Sequence, residues 1–375
     1  MTRIAVATSS FALALSLAGC ATTSLSSATT STTSVSTTTT PNATTTTAAT
    51  TTTTATEQPN GELQLALTIH VERHPIEVRN EAYFDAHVAI LEQLAKLATA
   101  YGVVLNFELS TEFVQAVDAW DSTFIEDMSA VGHAIAQHSG DQSTDGLTGA
   151  ARVAELVRQR NAIEAHGVQV NYLSGGCSAD DWVEAAISAG FSAVTGNVEY
   201  CLKSLDDETL PAGMDWIHRC DNQSICHDPL HVGTARVLHP WTTSSSATWL
   251  VDDPTGDLVI ISSDEADGFV AMSQDGDSDL SLSLDQWTAL LDSYVAATVP
   301  GQVNVVNMVL SVGPEPDWDL IESMFAQALT RQEAGLLSWA NLGEVVAQAL
   351  AEAPTQAADP AVVYTDTTPD LRGGP

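Results

Sequence analysis

In the stretch LALTIHVERHP, residues 65–75, titratable side chains arrive at every second position: His70, Glu72 and His74. Residues two apart on an extended strand share a face. His70 and Glu72 therefore project together, with Thr68 below them, and His74 joins them only if the strand continues past Pro75. Two later stretches offer similar groups. VVLNFEL (103–109) puts Asn106 and Glu108 on one face, and HAIAQHS (133–139) carries His138 at its end, shortly before Asp141. Two imidazoles with one or two carboxylates make a donor set for Zn²⁺, and an open position on such an ion activates water near neutral pH. A second carboxylate beside it would serve as a base.

For these residues to meet, their strands must end on a common rim. The pattern supplies that arrangement. A first strand spans 63–72, and residues 83–100 place Phe84, Val88, Leu91, Ala95 and Ala98 at helical spacing until Gly102 stops them. Strands at 103–109, 133–139, 168–174 and 191–197 alternate with helices, one capped by Ser110 or Thr111, then 148–166 and about 180–189. This βα succession predicts parallel strands wrapped by helices, whose C-terminal strand ends gather ligands on one side. His70, Glu72, Glu108, His138 and Asp141 all fall at such ends. Residues 200–300 break the rhythm and read as a long irregular insertion, with short strands at 235–239 and 257–262 and a helix near 285–297. The pattern resumes with a strand at 303–312, a helix over 316–332 and a closing helix over 339–351.

The ends of the chain speak to location. Residues 1–20 form a short basic start and an apolar run closing on Leu17-Ala18-Gly19-Cys20, similar to a bacterial lipoprotein signal in which Cys20 carries the lipid. Residues 21–60 are nearly all Thr, Ser and Ala and read as a disordered tether, and 354–375 read as a tail. The stretch 61–353 between them is long enough for one large core. A net charge of −36, with Lys96 and Lys203 as the only lysines, excludes nucleic acid as a partner and leaves the lipid anchor as the sole membrane attachment. Four cysteines remain after Cys20. Export favours two disulfides, Cys177–Cys201 and Cys220–Cys226; the alternative is a metal knot of Cys220, Cys226, His227 and His231. DGDSD (275–279) has calcium-loop spacing but lacks the turn glycine and the closing glutamate. Trp182, Trp216, Trp241 and Trp249 are candidates for stacking on sugar rings.

The segment order resembles the NodB-type polysaccharide deacetylases. Thr68-Ile69-His70-Val71-Glu72 stands where that family has Thr-Phe-Asp-Asp, and GHAIAQHSGDQ (132–142) where it has Gly-His-Glu-Ile-x-x-His-[Ser/Thr]-x-x-His. SADDWVEAAISAGFSAVTG (178–196) is similar to a later helix and strand of the family. The resemblance covers about 63–200 and, more loosely, 303–351. It implies an irregular (β/α)₇ barrel and metal-dependent hydrolysis of an acetamide or related bond on a carbohydrate. It further implies a divalent ion, zinc by preference, on His138 with Glu72 or Asp141. His70, Glu72 and Glu108 are the implied proton carriers, and His239 in VLHPW replaces the family's late general acid. The departures are specific. His70 and Glu72 stand for paired aspartates, Gln142 for a histidine, and Tyr172-Leu173-Ser174-Gly175-Gly176 for Arg-Pro-Pro-Tyr-Gly. They leave open a catalytically altered barrel that only binds glycans. A solute- or metal-binding lipoprotein serving a transporter is a further alternative.

Overall fold

The computed structural model describes residues 61–72, 74–139, 146–220, 226, 230, 237–262, 269–271, 283–312 and 316–352. The expected signal with Cys20, the expected tether, Asp141, Gln142, His227, His231, residues 275–279 and the expected tail lie outside these residues.

Strands β1 (Leu63–Val71), β2 (Leu105–Leu109), β3 (Ala134–His138), β4 (Tyr172–Ser174) and β5 (Ala193–Thr195) are parallel neighbours in that order. β6 (Trp241–Thr243), β7 (Leu258–Ile261) and β8 (Phe269–Ala271) follow, then β9 (Val305–Ser311) and β10 (Leu337–Trp339). All belong to one ten-stranded sheet of order β6-β7-β5-β4-β3-β2-β1-β9-β8, with β10 also paired to β1. Only the β6–β7 pairing is antiparallel among the described residues. The stretch expected as an insertion thus gives three strands to the sheet. Of the strand expected at 235–239, the described residues 237–239 are not extended: Val237 and Leu238 are helical, and pairing starts at Trp241. The closing segment also differs, because β10 precedes a helix that starts at Leu342.

Helices α1 (Glu81–Ala100), α2 (Thr111–Ala119), α3 (Phe124–Ala130), α4 (Gly149–Glu164) and α5 (Trp182–Ser188) separate the first strands. α6 (Leu284–Ala297), α7 (Trp318–Glu333) and α8 (Leu342–Glu352) follow. Local chemistry starts several of them. Asn80 accepts from the Tyr83 amide at α1, Ser110 from the Phe113 amide at α2, and Ser283 forms a capping box with Gln286 at α6. Gly102, at φ 69°, takes the left-handed turn that ends α1.

Strand alternation divides the core. One sheet face, with Leu65, Leu67, Ile69, Phe107, Leu173, Val194, Ile260 and Met308, is buried against α1 through α7. The other face carries Ala66, Ala136, Tyr172, Ala193, Val259 and Val305, packed against Leu342, Val345, Val346 and Ala349 of α8. Contacts of this segment fall at the N-terminal ends of strands: Asn106 Nδ2 donates to Ala340 O, the Leu342 amide donates to Asn106 Oδ1, and Asn171 Nδ2 donates to Gly343 O.

The sheet is strongly curled. Neighbouring strands lie about 4.8 Å apart, so β2 and β5 would be separated by about 14 Å in a flat sheet. Thr195 on β5 nevertheless donates to Glu108 Oε1 on β2 at 2.6 Å. This is an irregular β/α barrel, with β6 and β8 at the two ends of the strand order among the described residues. The disulfides Cys177–Cys201 and Cys220–Cys226 are both formed; the first ties the segment after β4 to the one after β5.

Candidate functional site

Five consecutive strands deliver polar side chains from their C-terminal ends to the face that α8 leaves uncovered. His70 and Glu108 are register partners on β1 and β2, and His138, Ser174 and Thr195 are the last residues of β3, β4 and β5. His70, Glu108 and His138 each offer a ligand atom within 4.8 Å of the others. The His70 and His138 ring centres are 4.5 Å apart. His138 Nδ1 is 2.7 Å from Ser174 Oγ, which fixes the ring, and its Nε2 is 3.5 Å from Glu72 Oε1. Gly196, at φ 63°, turns the chain beside His70 at the end of β5.

Glu108 is fully buried, and its Oε2 lies 2.6 Å from His70 Nε2. Burial pushes the Glu108 carboxyl up. The His70 charge and contacts with His70, Ser174 and Thr195 outweigh burial and hold it below its ordinary value. Tyr172, two residues before Ser174 on the same face, is also buried. Burial first, and the Glu108 carboxylate second, push its hydroxyl well above the usual phenol value. No hydrogen-bond partner for that hydroxyl exists among the described residues. Tyr172→Phe is therefore expected to raise the unfolding free energy by about 1 kcal/mol in urea denaturation; a comparable loss would mean the hydroxyl is bonded after all.

The residues expected from sequence separate into groups. His70, Glu108 and His138 converge. Glu72, with its side chain 55% exposed, stands at the mouth, its Oε1 3.8 Å from His70 Nδ1. The carboxylate inside the cluster is thus Glu108, while Glu72 faces solvent because β1 ends at Val71. His74 does not join the face of His70; it lies beyond the strand, against Tyr83 and His87. His239 sits elsewhere, with Nδ1 2.9 Å from Val303 O in a cleft lined by Asp252, Ala349 and Glu352, and shares no lining residue with the cluster. Trp182, Trp241 and Trp249 are buried in contact with one another rather than presented to a sugar, and Trp216 is half-buried. His133 is a core residue whose Nδ1 accepts from the Leu105 amide, and burial lowers its pKa. Ser174, Thr195 and Tyr172 were not singled out as site residues by sequence reasoning, although each lies at an inward position of its strand.

The cluster fits a divalent ion. Two imidazoles and one carboxylate are a common zinc donor set, and Ser174 and Thr195 act on His138 and Glu108 as orienting partners. Two ligands of one tetrahedral ion lie about 3.3 Å apart. His70 Nε2 and Glu108 Oε2 would need to part by a fraction of an ångström to share one.

No protein-family model matches the chain, and no curated protein matches it. Several solved structures are similar in fold. A Mycobacterium smegmatis protein named as a polysaccharide deacetylase has 15% identity, covering 84% of this chain and 96% of that one, with a TM-score of 0.46. The PuuE allantoinase has 10% identity, with coverage of 79% and 93% and a TM-score of 0.49. A CE4 family pseudoenzyme from Bacillus anthracis has 13% identity, with coverage of 77% and 66% and a TM-score of 0.34. Polysaccharide deacetylases are thus among the structures this barrel is similar to, and residue roles rest on the site itself.

Proposed function

We propose that this chain is an exported, lipid-anchored hydrolase that removes an acetyl group from an amide on a carbohydrate, using a divalent ion held by His70, Glu108 and His138. The observation that carries the proposal is the convergence of those three side chains at the C-terminal ends of adjacent strands. The ion supplies Lewis-acid polarisation of the amide carbonyl when bound. The chain's own groups supply the rest. Ser174 and Thr195 hold His138 and Glu108 in place. Glu72, at the mouth, takes the proton from the attacking water as its oxygen bonds to the acetyl carbon, and its protonated carboxyl then gives that proton to the amine nitrogen as the carbon–nitrogen bond breaks. Acetate and a free amino sugar are the products. The signal-like residues 1–20 with Cys20, and the Thr/Ser tether, support a place at the outer surface of a membrane.

Metal analysis of the purified chain, together with acetate release from N-acetylated oligosaccharides, tests the proposal. Wild type is expected to hold a divalent ion and release acetate, and His138→Ala to lose both. Wild type without metal or acetate release would sink the idea.

A second reading is a glycan-binding barrel without catalysis. The direct His70–Glu108 contact favours it, because the pair closes part of the donor set on itself. Saturable oligosaccharide binding with no acetate formed would select this reading.

A further inference from the structure

A second group of imidazoles lies outside the cluster just described. Past the end of β1 the chain makes a one-turn 3₁₀ helix, Glu77–Arg79, before α1. The Glu77 side chain is fully buried there, its backbone amide donates to His74 O, and its backbone carbonyl accepts from Trp120 Nε1. One carboxylate oxygen, Oε1, is 2.6 Å from His87 Nδ1. The other, Oε2, has no hydrogen-bond partner among the described residues. A buried carboxylate holding one imidazole nitrogen is the usual support of a metal-ligating histidine: it fixes the tautomer and makes the opposite nitrogen more basic.

That opposite nitrogen, His87 Nε2, belongs to a ring whose side chain keeps 16% of its exposure. The half-exposed His74 ring stands edge-on to it, with centres 5.6 Å apart. Two imidazoles bound to one ion at tetrahedral angles have ring centres about 5 Å apart, given metal–nitrogen bonds of about 2 Å. The separation is therefore close to that of two rings sharing an ion.

We propose that His74 and His87, with Glu77 orienting His87, form a second binding site for a borderline divalent cation of the zinc, copper or nickel type. Such an ion would pin the turn after β1 to the first turns of α1. The site is independent of the reaction proposed above and of the His70–Glu108–His138 cluster.

The test is a calorimetric titration of the full-length chain with Zn²⁺ alone, accompanied by thermal unfolding with and without the ion. Wild type is expected to take up one more equivalent than His74→Ala, whereas His138→Ala retains that equivalent. Zn²⁺ should raise the Tm of His138→Ala and fail to raise that of a His74→Ala, His138→Ala double variant. Glu77→Gln should weaken the site about 10- to 100-fold. Equal stoichiometry and affinity in wild type and His74→Ala, with both folded, would overturn the proposal.

Discussion

Replacing Glu108 by alanine is expected to lower the unfolding free energy by about 3 kcal/mol at neutral pH, the lower end of what breaking a buried charge pair costs. The low end applies because the partner left behind is an imidazole, which has a neutral form available. The change removes the charge facing His70 and the acceptor of the Thr195 hydroxyl together. Glu108→Gln should cost less, since an amide oxygen still accepts from Thr195. The effect depends on pH in a definite direction. Glu108 is held below its ordinary value of 4.5 in the folded chain. Its contribution is therefore fully present above that value and disappears as acid carries the pH down through the lowered folded-state value. Urea unfolding followed from neutral to acid pH should show the gap between wild type and Glu108→Ala closing. A gap that stays constant would show that the lost stability was not electrostatic.

Trp249→Ala is expected to cost about 3–5 kcal/mol, the range for deleting a large aromatic from a packed core. Trp249 is fully buried, edge-on to Trp182 of α5 at 5.5 Å and stacked with Trp241 of β6 at 6.3 Å. Its Nε1 donates to Cys201 O, and its own carbonyl accepts from Trp241 Nε1. The substitution thus opens a cavity where β6, α5 and the Cys177–Cys201 region meet, and removes one of the two donors to Cys201 O, leaving Ser204 Oγ as the other. The same variant should retain the metal stoichiometry of wild type wherever it is folded, because none of these contacts reaches His138. Chemical denaturation and metal analysis read the two effects separately. A loss below about 1 kcal/mol would mean that the neighbouring rings refill the space.

Long strands with apolar alternation made the first half of the chain legible. β1, β2 and β3 are nine, five and five residues long, enough for a period of two to assign Glu108 and His138 to the inward face. β4 and β5 are three residues each, too short for a period to appear, so Ser174 and Thr195 carried no signal of their own. The same shortness concealed β6 and β8 within 200–300, where Asp, Ser, Thr and Gly dominate. Tryptophan was ambiguous for a different reason: its surface suits a sugar and a core equally, and only packing shows that Trp182, Trp241 and Trp249 serve the core. His239 shows the limit of a motif transferred without its strand, because Val303 O and the end of α8 occupy its surroundings.

The position of α8 bears on what can reach the cluster. Its apolar side fills the inner sheet face from the N-terminal strand ends, opposite the rim where Glu72 stands. Among the described residues, α8 thus closes that end of the interior. A polymeric substrate of the proposed reaction would find no path past α8 like string through a bead; it would lie across the rim and dip one pendant substituent inside.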